Sequence, residues 1–187
     1  MRCSPKLTAE LRILGIDPGL DRTGWAVVAK QGTADPFLVS SGLLHTEAGL
    51  PFPLRLKQLY TGIAEIITAA DPSALAMEKM FFTKSAVSVA QTIQARGVLV
   101  LAASMAGLDI TEYAPPTIKA AVTGSGTAQK AQIQRMVQVI LKLPAPLSPD
   151  DVADAAAIAL THIRNAPFRA AYNAALKQTK KNRTVLS

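Results

Sequence analysis

The chain has 187 residues, the size of one ordinary domain, and 49% of them are hydrophobic, enough to bury a core. No run approaches the ~20 apolar residues of a membrane span, the first ten residues lack the apolar middle of a signal peptide, and one cysteine, Cys3, excludes an internal disulfide framework. The net charge of +7 is uneven: residues 1–154 hold 14 Lys/Arg against 13 Asp/Glu, and residues 155–187 hold six bases and no acid. A cytosolic, reducing compartment is expected. The cationic tail points to salt-sensitive phosphate contacts, a merely solubilising end being the plainer alternative.

The first elements are β-rich. Residues 11–17 and 23–30 form two apolar runs joined by Pro18-Gly19-Leu20-Asp21-Arg22, which favours a hairpin-like turn, and Phe37 to Leu44 is expected as a third antiparallel strand. Pro51 and Pro53 introduce a helix with Leu56, Leu59, Tyr60, Ile63, Ile66 and Ile67 at helical spacing, stopped by Asp71-Pro72. Ala74 to Met77 is expected as a buried, parallel strand. A long helix follows over 84–105, its apolar face assigned to Val87, Ala90, Ile93, Gly97, Val98, Leu101 and Ala102. Asp109 to Tyr113 is a short strand, Pro115-Pro116 opens a helical turn through Lys119, and Ala128 to Leu141 is a helix with Ile133, Met136, Val137 and Ile140 on one face. An alanine-rich helix over 149–164 ends the regular part. Antiparallel strands followed by alternating helices and strands predict an α/β fold, a mixed five-stranded sheet flanked by helices. The expected division is a leader (1–10), one domain (11–165) and a basic tail (166–187).

Four acids fall where charge is least easily accommodated. Asp17 ends the first apolar run, Glu78 ends the run Ala74 to Met77, and Asp151 and Asp154 sit three apart at the head of the last helix. A carboxylate at the end of a buried strand is unfavourable unless it is paired or holds a metal, and hard divalent cations take oxygen ligands of this kind. Each acid has a duller explanation. Asp17 could initiate a turn and Glu78 could simply close a strand. Ser148-Pro149-Asp150-Asp151 resembles a helix start with serine as cap and proline at the first helical position. That start accounts for Asp150 but not for Asp154 among alanines. Because residues i and i+3 share a helix face, Asp151 and Asp154 would repel each other unless a cation sat between them.

The segments Gly15-Ile16-Asp17-Pro18-Gly19…Thr23-Gly24, Glu78-Lys79-Met80-Phe81, Gln94-Ala95-Arg96-Gly97 and Asp151-Val152-Ala153-Asp154-Ala155, in this order over roughly residues 11–165, resemble the RuvC family of bacterial Holliday junction resolvases. The resemblance implies a ribonuclease H-like fold and a homodimer that cuts four-way DNA junctions with two Mg²⁺ or Mn²⁺ ions per site. It also implies cooperation with the RuvA–RuvB branch-migration complex. By position it makes Asp17, Glu78, Asp151 and Asp154 the catalytic, metal-binding carboxylates. Lys119 and Lys130 match positions that contact DNA near the cut, Lys119 being the candidate to stabilise charge on the phosphate. Of Phe81 and Phe82 one is expected in the core, and the resemblance favours Phe81 for stacking on a base. Arg22, beside Asp17, is a candidate for the phosphate backbone.

Gly124-Ser125-Gly126-Thr127, before Lys130, could favour phosphate at a helix start but lacks the Gly-Lys-Ser/Thr ending of a Walker A loop. His45 and His162 have no metal-ligand spacing, and His162 is expected to interact with a helix C-terminal dipole. The small residues Ala102, Ala103, Ser104 and Ala106 mark the long helix as the expected dimer surface. Three rivals share parts of the pattern: a YqgF-type nuclease acting on structured RNA or junctions, an actin-like sugar kinase or ATPase, and a non-catalytic junction-binding module.

Overall fold

The computed structural model describes residues 10–80 and 86–166, with the side chains of 86–89 also outside it. Phe81 therefore lies outside the described residues, as do most of the leader and nearly all of the tail. The elements in order are β1 (Glu10–Asp17), β2 (Arg22–Gln31), β3 (Phe37–His45), α1 (Phe52–Ala70), β4 (Ala74–Glu78), α2 (Ala86–Met105), β5 (Asp109–Tyr113), α3 (Pro115–Thr123) and α4 (Lys130–Ile140). A last helix, α5, spans residues 150–166.

The strands form one sheet in the order β3-β2-β1-β4-β5. β1 is central, antiparallel to β2 and parallel to β4, and β5 extends the parallel side. Ile13, Leu14 and Ile16 of β1 are fully buried because both faces of the sheet are covered, which is what an unbroken aliphatic run requires. One face holds Ile13, Ala26, Val28, Ala74 and Ala76 against α3, α4 and α5. The other holds Leu14, Ile16, Val27, Leu75 and Met77 against α1 and α2. Each large aliphatic side chain buried in these layers contributes on the order of 1.5–3 kcal/mol.

The helices follow their sequence signals with instructive exceptions. α1 starts with Pro53 in its first turn and closes at Asp71 in the left-handed region (φ 45°), burying Leu59, Ile63, Ile67 and Ala70. α3 runs on past Lys119 to Thr123, ending at Gly124 with φ 82°. α2 is apolar nearly all round, so its periodicity did not single out the core face. Ala95, Leu99, Ala102 and Ala103 are buried, whereas Ile93, Leu101 and Met105 stand 42%, 54% and 69% exposed. Ala102 and Ala103 thus belong to the core and not to a dimer surface. The capping expectation for α5 shifts by one residue, since Pro149 precedes the helix and Asp150 opens it. His162 also differs from expectation. It is buried (7% exposed), with its ring edge-on to Tyr113 at 5.9 Å and Nδ1 3.2 Å from the Tyr113 hydroxyl.

Candidate active site

Strand parity brings the first two acids together. Side chains alternate along a strand, so Asp17 faces the same way as Ile13 and Gly15, and Glu78 the same way as Ala74 and Ala76. That is the face covered by α5. The register pairs Ile16 with Met77, which places Asp17 and Glu78 one step further, at the carboxyl ends of adjacent parallel strands.

Two glycines decide how closely the second pair of acids approaches. A Cβ at Gly15 would land on the carbonyl oxygen of Ala155, and one at Gly24 on the carbonyl oxygen of Asp151. Gly24 is the cross-strand partner of Asp17. The backbone of α5 therefore lies directly on β1 and β2, with Ala155, Ala156 and Ala159 fully buried. Only alanine-sized side chains fit such a contact. The same contact sets Asp151 and Asp154, on the first turns of α5, beside the two strand ends.

The electrostatics record this convergence. Burial pushes the Asp17 carboxyl up from its ordinary 3.8 to about 7, helped by repulsion from Asp154, Glu78 and Asp151 and opposed by Lys130. Glu78 is raised by burial and by Asp154, against Arg96 and Lys119. Asp154 is raised by burial, which outweighs its pairing with Lys130. Burial works against the charge on Lys130, but pairing with Asp154 and Asp150 prevails and holds its ammonium above the usual range.

Asp151 and Asp154 do not face each other alone. Each has its own side-chain cation. Arg22 pairs with Asp151, and Lys130 Nζ lies 3.1 Å from Asp154 Oδ2 and 3.3 Å from Asp150. Arg22 and Lys130, expected at phosphate, thus pair with the acids. Arg22 is presented by a fastened loop: Thr23 donates to the Gly19 carbonyl at 2.6 Å, Thr46 donates to the Leu20 carbonyl at 2.7 Å, and Arg55 grips Thr46 and Asp21. Asp150 faces Gln134 and Lys130 instead of the strand ends. Lys119 and Lys130 line, with Glu78 and Asp154, a cleft of about 320 Å³.

As placed, no three Asp, Glu, His or Cys side chains among the described residues are gathered tightly enough to hold an ion. The donor set nonetheless suits one. It consists of hard carboxylate oxygens, and among the described residues Asp17 and Glu78 make no salt bridge and no side-chain hydrogen bond to relieve their burial. A shared cation would do so.

Three features of the site escaped sequence reasoning. Gly15 and Gly24 are isolated glycines in apolar strands, a signal of close backbone approach. Arg96 carries no role in the sequence motif that contains it. Its guanidinium reaches the carbonyl of Glu78 at 2.7 Å and the carboxylate of Glu112 at 2.6 Å. Arg55, buried beneath the β1–β2 loop, gave no periodic signal beyond its place in α1.

Comparison with known proteins fits this arrangement. The family described as crossover junction endodeoxyribonuclease RuvC matches residues 13–162. A protein of that name from Brevibacillus brevis is 47% identical over 161 residues, 86% of this chain and 94% of its own length. A solved structure of Thermus thermophilus RuvC matches with a TM-score of 0.78 at 32% identity, covering 84% of this chain and 96% of that one. The same protein in complex with a Holliday junction substrate matches with a TM-score of 0.78 at 33% identity, over 82% and 93% of the two chains. Among the described residues, no helix is long and apolar enough to cross a membrane.

Proposed function

The chain belongs to the RuvC family of crossover junction endodeoxyribonucleases, and from that premise we propose how its residues divide the work on a four-way junction. It is a Holliday junction resolvase of ribonuclease H-like fold, a nuclease of DNA recombination and repair. The YqgF-type alternative is not favoured by the family match.

In this reading Asp17, Glu78, Asp151 and Asp154 bind two Mg²⁺ or Mn²⁺ ions. When bound, such ions supply an acidified water and neutralise charge on the departing oxygen of an in-line displacement. Asp17, fixed at the end of the central strand, would hold the ions together with Glu78 from β4 and the α5 pair. Lys119, rooted in α3 across the cleft, stabilises charge on the non-bridging phosphate oxygens. Arg22 and Lys130, which pair with Asp151 and Asp154, would contact the phosphate backbone. Phe81 stacks on a base near the cut. Hydrolysis leaves 5′-phosphate and 3′-hydroxyl ends.

The observation that carries this reading is the meeting of two strand-end carboxylates, without a salt bridge among the described residues, with the α5 pair at the edge of a lysine-lined cleft. Two opposed strands must be cut, which an isologous dimer does with two identical sites. The exposed stripe Ile93, Leu101 and Met105 on α2 is the surface we assign to that dimer, in place of the buried alanines. Cooperation with the RuvA–RuvB complex belongs to the same reading. The test is incubation of purified protein with a synthetic four-way junction, with and without Mg²⁺, followed by strand mapping. Paired, symmetric, ion-dependent nicks are expected, and cleavage that persists in chelator would refute the metal assignment.

A further inference from the structure

The peptide plane of Glu78, a proposed ligand at a strand end, is held by another side chain. Its carbonyl accepts a hydrogen bond from Arg96 Nη1 at 2.7 Å, while Arg96 Nη2 pairs with Glu112 Oε1 at 2.6 Å. Arg96 comes from α2, on the opposite face of the sheet from α5. The Arg96 side chain is only 11% exposed. Glu112 lies on β5, one step before Tyr113, the register partner of Glu78. The next amide, that of Lys79, donates to the Tyr113 carbonyl at 2.7 Å. The peptide after Glu78 is thus fixed at both its oxygen and its nitrogen, by α2 and by β5.

A strand end is ordinarily where the backbone frays, and a carboxylate there would swing with it. With the strand holding the peptide before Glu78 and these bonds holding the peptide after it, the direction of the Glu78 Cα–Cβ bond is set. A planar guanidinium suits the task because two nitrogens serve two acceptors at a set angle, which a single ammonium cannot copy.

We propose that Arg96 is a positioning residue that aims Glu78 at the bound cation, with Glu112 anchoring its guanidinium. The proposal rests on the assignment of Glu78 as a ligand, and the experiment separates the two. Arg96→Gln, Arg96→Lys, Glu112→Gln and Glu78→Gln are compared for Mn²⁺ binding to the DNA-free protein by calorimetry, for kcat and KM on a four-way junction, and for melting temperature. Outer partners of metal ligands commonly contribute about 10–100-fold to metal affinity or activity. Arg96→Gln is therefore expected to weaken Mn²⁺ binding and lower kcat by about that factor, with the KM for junction little changed. Arg96→Lys should recover part of the loss, and Glu112→Gln should move both quantities in the same direction by less. Should Arg96→Gln fail to fold, Glu112→Gln carries the test, since Glu112 is 43% exposed. If Glu78→Gln is inactive while the folded Arg96 and Glu112 variants bind Mn²⁺ and cleave like the parent, the positioning role is wrong. If Glu78→Gln itself keeps full Mn²⁺ binding and cleavage, the ligand assignment falls, and the proposal with it.

Discussion

Replacing Asp17 by asparagine should make the metal-free protein more stable while abolishing cleavage. Asp17 is mostly buried, faces three other carboxylates and has only Lys130 opposing them, which moves it from 3.8 to about 7. At about 1.4 kcal/mol per pH unit, ionised Asp17 costs the folded state about 4 kcal/mol. Because the folded-state pKa lies above the unfolded one, the folded chain binds the extra proton between the two values. Stability therefore falls as pH rises from about 4 to 7 and stays low above that. Asparagine removes the charge but buries an amide without a partner, a penalty of about 1–3 kcal/mol, so a net gain of about 1–3 kcal/mol is expected at pH 8. For a chain of this size that is a rise in Tm of about 3–10 °C. The assay is thermal or urea unfolding in chelator at pH 8 and pH 4.5, repeated with Mg²⁺. The gain should shrink at pH 4.5, where the parent also carries the proton. Mg²⁺ at a hundred times its Kd should stabilise the parent by about 2.7 kcal/mol and the variant much less. An Asp17→Asn protein no more stable than the parent at pH 8, or equally advantaged at both pH values, would refute the electrostatic account.

Lys130→Met removes the side-chain cation from Asp154, a partly exposed pair worth about 0.2–1 kcal/mol. Calorimetry should show Mn²⁺ binding to the DNA-free variant tightened by up to about fivefold, while junction affinity falls and its salt dependence becomes shallower by about one phosphate contact. Weaker Mn²⁺ binding would mean that Lys130 does not compete. Gly15→Ala forces a methyl onto the Ala155 carbonyl and should cost about 1–3 kcal/mol by overpacking, with cleavage lost through displacement of α5. An unchanged melting curve would contradict the contact. Leu101→Glu, at a 54% exposed position, should leave the fold intact and shift sedimentation from dimer to monomer, with single nicks replacing paired cuts. A stable dimer would move the interface elsewhere.

The parts legible in the sequence were those with a local signature. β1 and β4 are short aliphatic runs ending in acids, and the acid at each end is where the strand leaves the core. Asp151 and Asp154 share a face by spacing alone. What was not legible depends on which surface meets which. α2 spreads its aliphatic residues over more than one face, so only packing against α1 decides that Leu99 and Ala103 turn inward while Leu101 turns out. The pairing of Arg22 with Asp151 joins residues 129 apart, and no local pattern announces it. His162 looked like a helix-end residue because its partner, Tyr113, lies 49 positions earlier. The glycines of β1 and β2 were visible as letters, but their reason lies in α5.

The ion pairs also bear on the order in which the site is filled. Asp17, Glu78, Asp151, Asp154 and the adjoining Asp150 outnumber Arg22, Lys119 and Lys130, so the cleft carries excess negative charge, and a scissile phosphate adds more. At a surface-like dielectric, like charges 4 Å apart repel by about 4 kcal/mol, so a phosphate approaching the metal-free cleft is opposed. The site can shed charge in two ways. It can keep a proton on Asp17, which a value of about 7 allows near neutrality, or it can take up a cation. Only the second leaves Asp17 as a ligand, so protons compete with metal, and metal affinity should rise as pH climbs through 7. A cation that reverses the sign of the cleft favours phosphate, and by linkage phosphate favours the cation by the same factor. Junction affinity measured in Ca²⁺ should therefore exceed that in chelator, and the excess should vanish in Asp17→Asn.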